Sequence, residues 1–210
     1  LVLSLTSLWF TGSLSGLLGF TVGMIYLSFK MGRKLFSKWT IVATLLIMIL
    51  IALNFSYLKT RLNDAIVFST NPQEYNISDP GLIRLGLWQG SVDMAFADLK
   101  SFLIGRGPET FAYEFPFFRK DYLNYSSEWD FILNKPHNYY LEIMVESGVF
   151  TLISYLAILV YTLKQKDLYL AAGFLAFYVA NIFSWPTVTT SLIFWVWLGI
   201  ISKKTSPSEV

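Results

Sequence analysis

Residues 39–58 read WTIVATLLIMILIALNFSYL, a stretch without a single Lys, Arg, Asp or Glu. A bilayer core of about 30 Å takes about 20 apolar helical residues. This stretch therefore predicts a membrane-crossing helix and decides the class of the fold. Further along, residues 139–163 predict a second span, apolar apart from Glu142 and Glu146 near its start. Residues 168–184 and 188–201 predict a third and a fourth, separated at Pro186. Towards the other end, residues 1–29 are apolar but interrupted by Thr11-Gly12-Ser13. They read as the end of one span (1–10) and a following one (14–29). The composition agrees: 54% of the 210 residues are hydrophobic and only 14% charged, against about 25% charged in soluble domains. A net charge of +2 supplies no basic field for nucleic acid. The absence of cysteine excludes a disulfide framework and a thiolate metal site. The chain starts at Leu1 inside an apolar run with no charged region before it. No signal peptide is read there, and a piece of a longer membrane protein is expected.

Short basic patches set the orientation. Lys30, Arg33, Lys34 and Lys38 follow the 14–29 span, Lys164 and Lys166 separate the second and third, and Lys203 and Lys204 follow the last. With one crossing per candidate, all three patches fall on one side, as cytoplasmic loops require. The other side holds a tight turn at Trp185-Pro186 and one long segment. The expected organisation is N-terminal transmembrane helices (1–58), an extracytoplasmic loop domain (59–136), C-terminal transmembrane helices (137–201) and a cytoplasmic tail (202–210). The expected fold class is all-α: a polytopic transmembrane helical bundle with a long extracytoplasmic loop containing an amphipathic helix.

A segment as long as 59–136 should be folded or functional. Ser78 or Asp79 offers an N-cap and Pro80 a first helical position. From there to Leu103, the residues Leu85, Trp88, Val92, Ala95, Leu99 and Phe102 recur every three or four positions, one stripe of an amphipathic helix. Gln89, Asp93 and Lys100 lie off that stripe, and the helix would rest on the membrane surface or on the tops of the spans. Arg84 sits at the edge of the stripe, four residues before Trp88. Two readings are open: a snorkelling side chain, or a phosphate ligand at the interface. Gly105-Arg106-Gly107-Pro108-Glu109-Thr110-Phe111 then forces a sharp turn. It is not a nucleotide loop, because it follows a helix and lacks a Gly-Lys-Ser/Thr ending. The aromatics after it (Phe111, Tyr113, Phe115, Phe117, Phe118, Tyr122, Tyr125, Trp129) suit headgroup anchoring and sugar stacking equally.

His137 is the only histidine, and Pro136 before it is a natural helix opener. His137 is thus expected in the first turn of the next span, where an imidazole can exchange protons with water. A lone histidine can also be purely structural. Glu142 stands one turn after Asn138 and one turn before Glu146. Helix stabilisation by the dipole is open for Glu142, while Glu146 is deeper and should face protein or a watery cavity.

These motifs occur in a fixed order. Thr11-Gly12-Ser13-Leu14-Ser15-Gly16 lies at a span boundary, and Arg84-x-x-x-Trp88 opens the external helix. Gly105-x-Gly107-Pro108-Glu109-Thr110-Phe111 follows, then Pro136-His137-Asn138-x-x-Leu141-Glu142 and Glu146-x-Gly148-Val149. Over about residues 1–165 the set resembles the C-terminal half of the O-antigen ligase and O-antigen polymerase family of bacterial membrane glycosyltransferases. The resemblance implies a multi-span integral protein of the cytoplasmic membrane with its active site facing outside. It implies a donor glycan on undecaprenyl diphosphate and a glycan or lipid-linked acceptor hydroxyl, with no cofactor and no metal. It assigns Arg84 to the diphosphate and His137 to the catalytic base or acceptor-positioning role, with Asn138 and Glu142 as substrate-binding residues. The family usually carries a second diphosphate arginine in the first motif. Here that position is Leu14, and Arg106 is the candidate substitute. An isolated fragment lacking upstream spans is expected to be inactive. The alternatives are a membrane transporter, or an inactive family copy acting as a scaffold.

Overall fold

The computed structural model describes residues 6–8, 10–32 and 80–205. The span expected at 39–58, the basic residues at 33–38 and the cap at Ser78 or Asp79 lie outside the described residues. Within them every regular element is helical: α1 (Leu14–Met31), α2 (Pro80–Ala95), α3 (Leu99–Ile104), α4 (Phe111–Glu114), α5 (Tyr139–Leu163), α6 (Leu168–Ala180) and α7 (Val188–Thr205). Two tight 3-10 turns, Phe115–Phe117 and Asp121–Tyr125, follow α4. By length and composition, α1 and α5 can cross a membrane, whereas the apolar helices α6 and α7 are shorter. The chain divides into two compact units, Leu1–Ile47 with Ser154–Val210, and Met48–Ile153.

In the first unit, α1 begins where the interruption at Thr11-Gly12-Ser13 predicts. The Ser13 hydroxyl accepts from Gly16 N at 3.1 Å, so a capping side chain starts the helix. Gly32, at φ 53, ends it by donating its N–H to Ser28 O. The buried face of α1 carries Gly19 and Gly23. A Cβ on Gly19 would overlap Ala176 O, and one on Gly23 would lie 3.1 Å from Ala172 O. Small residues on both helices thus bring the backbones together, the packing mode of apolar helices in lipid. Gly19 faces Ala176 and Ala180 while Gly23 faces Ala172 and Ala176, so α1 and α6 are antiparallel. Tyr26 donates to Leu163 O at 3.4 Å, which sets the Lys30 end of α1 beside the link carrying Lys164 and Lys166. The α6 helix ends at Ala180, earlier than the expected 184. Asn181 is its C-cap, and Pro186 disfavours helical backbone in the residue before it. Buried Tyr178 donates to Tyr155 O at 2.7 Å, and Phe174 meets Phe194 of α7 edge-on at 5.2 Å.

The second unit has its own core: Ile83, Leu87, Met94, Ala95, Phe111, Phe115, Leu123, Met144 and Val145. Two expectations change here. The helix over 80–103 is broken after Ala95, because the Asp98 carboxylate accepts from Ser101 N at 2.8 Å and Ser101 Oγ at 2.7 Å and starts α3 as its own cap. The buried face of α2 is also rotated from the expected stripe. Ile83, Leu87, Gly90, Ser91 and Met94 are buried, while Leu85, Val92 and Leu99 are exposed, Leu99 by 72%. Glycine decides this. A Cβ on Gly90 would lie 2.6 Å from the Phe115 ring, and one on Gly86 2.7 Å from Leu123. The face with the glycines can approach its neighbours most closely, and Ser91 satisfies its hydroxyl on Leu87 O at 2.6 Å. The aromatic segment divides as well. Phe111 and Phe115 are buried and stacked at 4.9 Å, whereas Tyr113 and Phe117 stand 79% and 83% exposed.

Candidate functional site

The site is assembled on α5, and α5 is not continuous. Gly148 has φ 77 and ψ 179, so two helical pieces meet there. A regular helix would bond Val145 O and Glu146 O to the amides four residues on. Here they accept from Arg106 N and Gly107 N, each at 2.9 Å. The turn motif is thus clamped onto a broken helix by main-chain bonds. A Cβ on Gly105 would overlap the backbone of Glu146 and Ser147, and one on Gly148 the backbone of Leu103. The two motifs share one close contact that only glycine permits. The span expected over 139–163 is present with those bounds and carries this break inside it.

His137 also sits differently from the expectation. The helix starts at Tyr139, and Asn138 Oδ1 accepts from Tyr140 N at 3.0 Å and Leu141 N at 3.1 Å. Asn138 is the N-cap, which leaves His137 outside the first turn. Its backbone is left-handed, at φ 55, a conformation a residue with a Cβ holds only when its surroundings enforce it. Burial, and then the positive charge of Arg84, hold the His137 imidazole below its ordinary pKa. Arg84, half-buried on α2, is therefore electrostatically coupled to His137, and a neutral ring predominates near pH 7.

Lys135 lies two residues before His137 and links three segments. Its ammonium donates to Glu142 Oε1 at 2.7 Å and to the Glu109 carboxylate at 3.1 and 3.2 Å. Burial lowers the Lys135 pKa, but the hydrogen bonds to Glu142 and Glu109 and the charges of Glu142 and Glu146 outweigh it and raise the value above normal. Glu142 and Glu146 are both buried, and among the described residues Glu142 Oε2 and Glu146 Oε1 meet no hydrogen-bond partner. Glu146 thus faces protein, as its depth in the sequence requires.

Arg106 is placed apart from this set by its side chain. Nη1 donates to Glu114 at 2.8 Å, Nε to Met94 O at 3.2 Å and Nη2 to Asp98 at 3.5 Å. The guanidinium also lies 4.8 Å from the Phe118 ring. Lys120 pairs with Asp93. Among the described residues no carboxylate forms an ion pair with Arg84, in contrast to Arg106, Lys120 and Lys135. Arg84, His137, Asn138 and Glu142 are thus connected through contacts or charge, while Arg106 contributes its amide to α5 and its side chain to the ends of α2 and α4. Lys135 and Glu109 escape a reading of the sequence, since neither left-handed residue is glycine and the ion pairs span 26 and 7 positions. The one sequence signal was the place of Glu109 inside the turn motif. Among the described residues, no three His, Cys, Asp or Glu side chains gather as a metal site would require.

A family model described as O-antigen ligase matches residues 1–156. No curated protein and no solved structure matches the chain.

Proposed function

Because the chain belongs to the O-antigen ligase family, we propose that it moves a glycan from undecaprenyl diphosphate to an acceptor hydroxyl at the outer face of the bacterial cytoplasmic membrane. The family carries ligase- or polymerase-like glycosyl transfer in general; the lipid carrier, the acceptor and the side of the membrane are our reading. The observation that carries it is Arg84, a guanidinium whose charge acts on His137 and that has no carboxylate ion-pair partner among the described residues.

In this reading the acceptor hydroxyl attacks the anomeric carbon of the donor sugar. The bond from that carbon to the diphosphate oxygen breaks, and its electron pair leaves with the lipid diphosphate. Arg84 neutralises the charge gathering there, a role suited to a bidentate guanidinium. His137, held neutral by burial and by Arg84, takes the hydroxyl proton and returns it to water. Asn138 orders the chain around His137 through its cap, and Glu142 offers carboxylate oxygen to sugar hydroxyls beside Lys135. Arg106 becomes a brace for the turn rather than a diphosphate ligand, because Glu114, Asp98 and Met94 O already hold its donors.

The topology is an extension of the same proposal. Residues 1–58 and 137–201 supply spans around an extracytoplasmic segment, 59–136, with 202–210 in the cytoplasm. Its support is the antiparallel pairing of α1 with α6, which gathers Lys30, Lys164 and Lys166 at one end, as the positive-inside rule asks. A second reading, an inactive family copy, is favoured by Leu14 alone. One experiment separates the two: surface polysaccharide is profiled in a deletion strain carrying wild type, Arg84→Ala or His137→Ala. Restoration by wild type and by neither variant is expected. Full restoration by both variants removes the catalytic assignment, and failure of wild type favours the inactive copy.

A further inference from the structure

We infer that Lys135 is a positioning residue that sets the place of His137 by tying the turn at Glu109 to the first turn of α5. This rests on the reading of His137 as the base. Among the described residues, only two that are not glycine hold positive φ, Glu109 at 56 and His137 at 55. One ammonium joins the segments that contain them. Lys135 Nζ binds Glu109 at 3.1 and 3.2 Å and Glu142 at 2.7 Å, with 14% of the Lys135 side chain exposed. Left-handed backbone in a residue with a Cβ persists only where neighbouring structure over-determines it, and here both cases share one cross-link.

The link to His137 is short and stiff. Only Pro136 separates Lys135 from His137, and Pro136 is fully buried with φ fixed by its ring. On the other side, Asn138 is fixed by its two cap bonds. His137 is thereby suspended between a proline anchored through Lys135 and a helix cap. The turn holding Glu109 is itself clamped on α5 by the amides of Arg106 and Gly107. Releasing Lys135 frees the proline side of His137 and leaves the cap side in place, so the ring moves while α5 keeps its start.

Because His137 is the sole histidine in the sequence, its exposure can be read directly. Diethyl pyrocarbonate acylates neutral imidazole, and peptide mass mapping of the membrane-embedded full chain follows the rate at His137. Glu109→Gln and Lys135→Met are expected to speed acylation, and Lys135→Arg, which keeps charge and donors, to leave it at the wild-type rate. In glycan-transfer assays Lys135→Met is expected to lower kcat roughly tenfold or more, the scale of a misplaced catalytic group. The donor KM should stay within about threefold, because the diphosphate ligand is untouched. Glu109 is 80% exposed, so Glu109→Gln decides the matter if Lys135→Met does not accumulate. Wild-type acylation rates in both variants overturn the positioning role. A His137→Ala chain that transfers at the wild-type rate overturns the base itself, independently of the acylation result.

Discussion

Replacing Gly148 by alanine tests the architecture on which the site depends. The residue holds φ 77 and ψ 179, a region essentially reserved for glycine, where another residue costs about 1–3 kcal/mol. The added Cβ would overlap Leu103 C and O and come within 2.5 Å of Ile104 N. Those are backbone atoms, so the neighbour has no rotamer by which to yield, and overpacking of this kind costs about 1–3 kcal/mol. If the chain escapes by restoring a regular helix, the amides of Arg106 and Gly107 lose Val145 O and Glu146 O, at about 0.5–1.5 kcal/mol per bond. Keeping the broken helix thus costs about 2–6 kcal/mol and restoring a regular one about 1–3 kcal/mol, against an ordinary stability margin of about 5–15 kcal/mol. The assay is the temperature of half-inactivation in detergent at fixed heating time, beside glycan transfer in cells. A fall of roughly 2 °C or more is expected, at about 2–4 °C per kcal/mol for a chain of this size, with transfer lost. Gly199→Ala is the control: no described residue lies within 4 Å of a Cβ there, and alanine improves helix propensity by about 1 kcal/mol. Equal midpoints and equal transfer for Gly148→Ala and Gly199→Ala would falsify the clamp.

Three further outcomes are expected. Transfer should follow the neutral form of His137, whose pKa lies below its ordinary value, so the acid limb of kcat/KM falls below pH 6.5. Removing the Arg84 charge favours the protonated ring and raises that pKa. Arg84→Gln should therefore move the limb of its residual activity to higher pH, and Arg84→Lys should not; an unmoved limb in Arg84→Gln refutes the coupling. Arg106→Ala should lower the inactivation temperature by several degrees, through loss of charge-assisted bonds worth about 2 kcal/mol. Its donor KM should stay within about threefold, and a much larger rise would restore Arg106 as a ligand. On α2, Gly90→Val should prevent stable accumulation, since a Cβ there already meets Phe115 and Phe118 O. Val92→Ser on the exposed face should change stability by less than about 0.5 kcal/mol, and the reverse ranking, read from protein level and midpoint, would return the buried face to the stripe through Leu85 and Val92.

What the sequence discloses follows from which interactions are local. The break at Thr11-Gly12-Ser13 and the turn at Gly105–Gly107 are legible because each depends on residues within one turn. The motif order likewise points to Arg84 and His137. The buried face of α2 is not legible from apolar spacing, because the helix is apolar on more than one side. Gly86 and Gly90, silent in a hydrophobicity pattern, choose the face by how closely Leu123 and Phe115 approach. The break in α5 is hidden for a related reason. Apolar residues continue through Val145, Val149 and Leu152, and only the tertiary contact of Gly105 with Glu146 explains why Gly148 leaves the helix. Asp98 splits the external helix through a capping bond that competes with continuation. Lys135 is invisible in advance, since its two carboxylates come together only after the turn and α5 dock.

The break at Gly148 also bears on the lipid. The regular helix that follows it, residues 149–163, rises about 22 Å at 1.5 Å per residue, and the 13 residues of α6 rise about 20 Å. Both fall short of a hydrocarbon core about 30 Å thick. In the proposed topology this is negative hydrophobic mismatch, which a bilayer relieves by thinning around the protein. Acyl-chain length thereby becomes a variable of the fold.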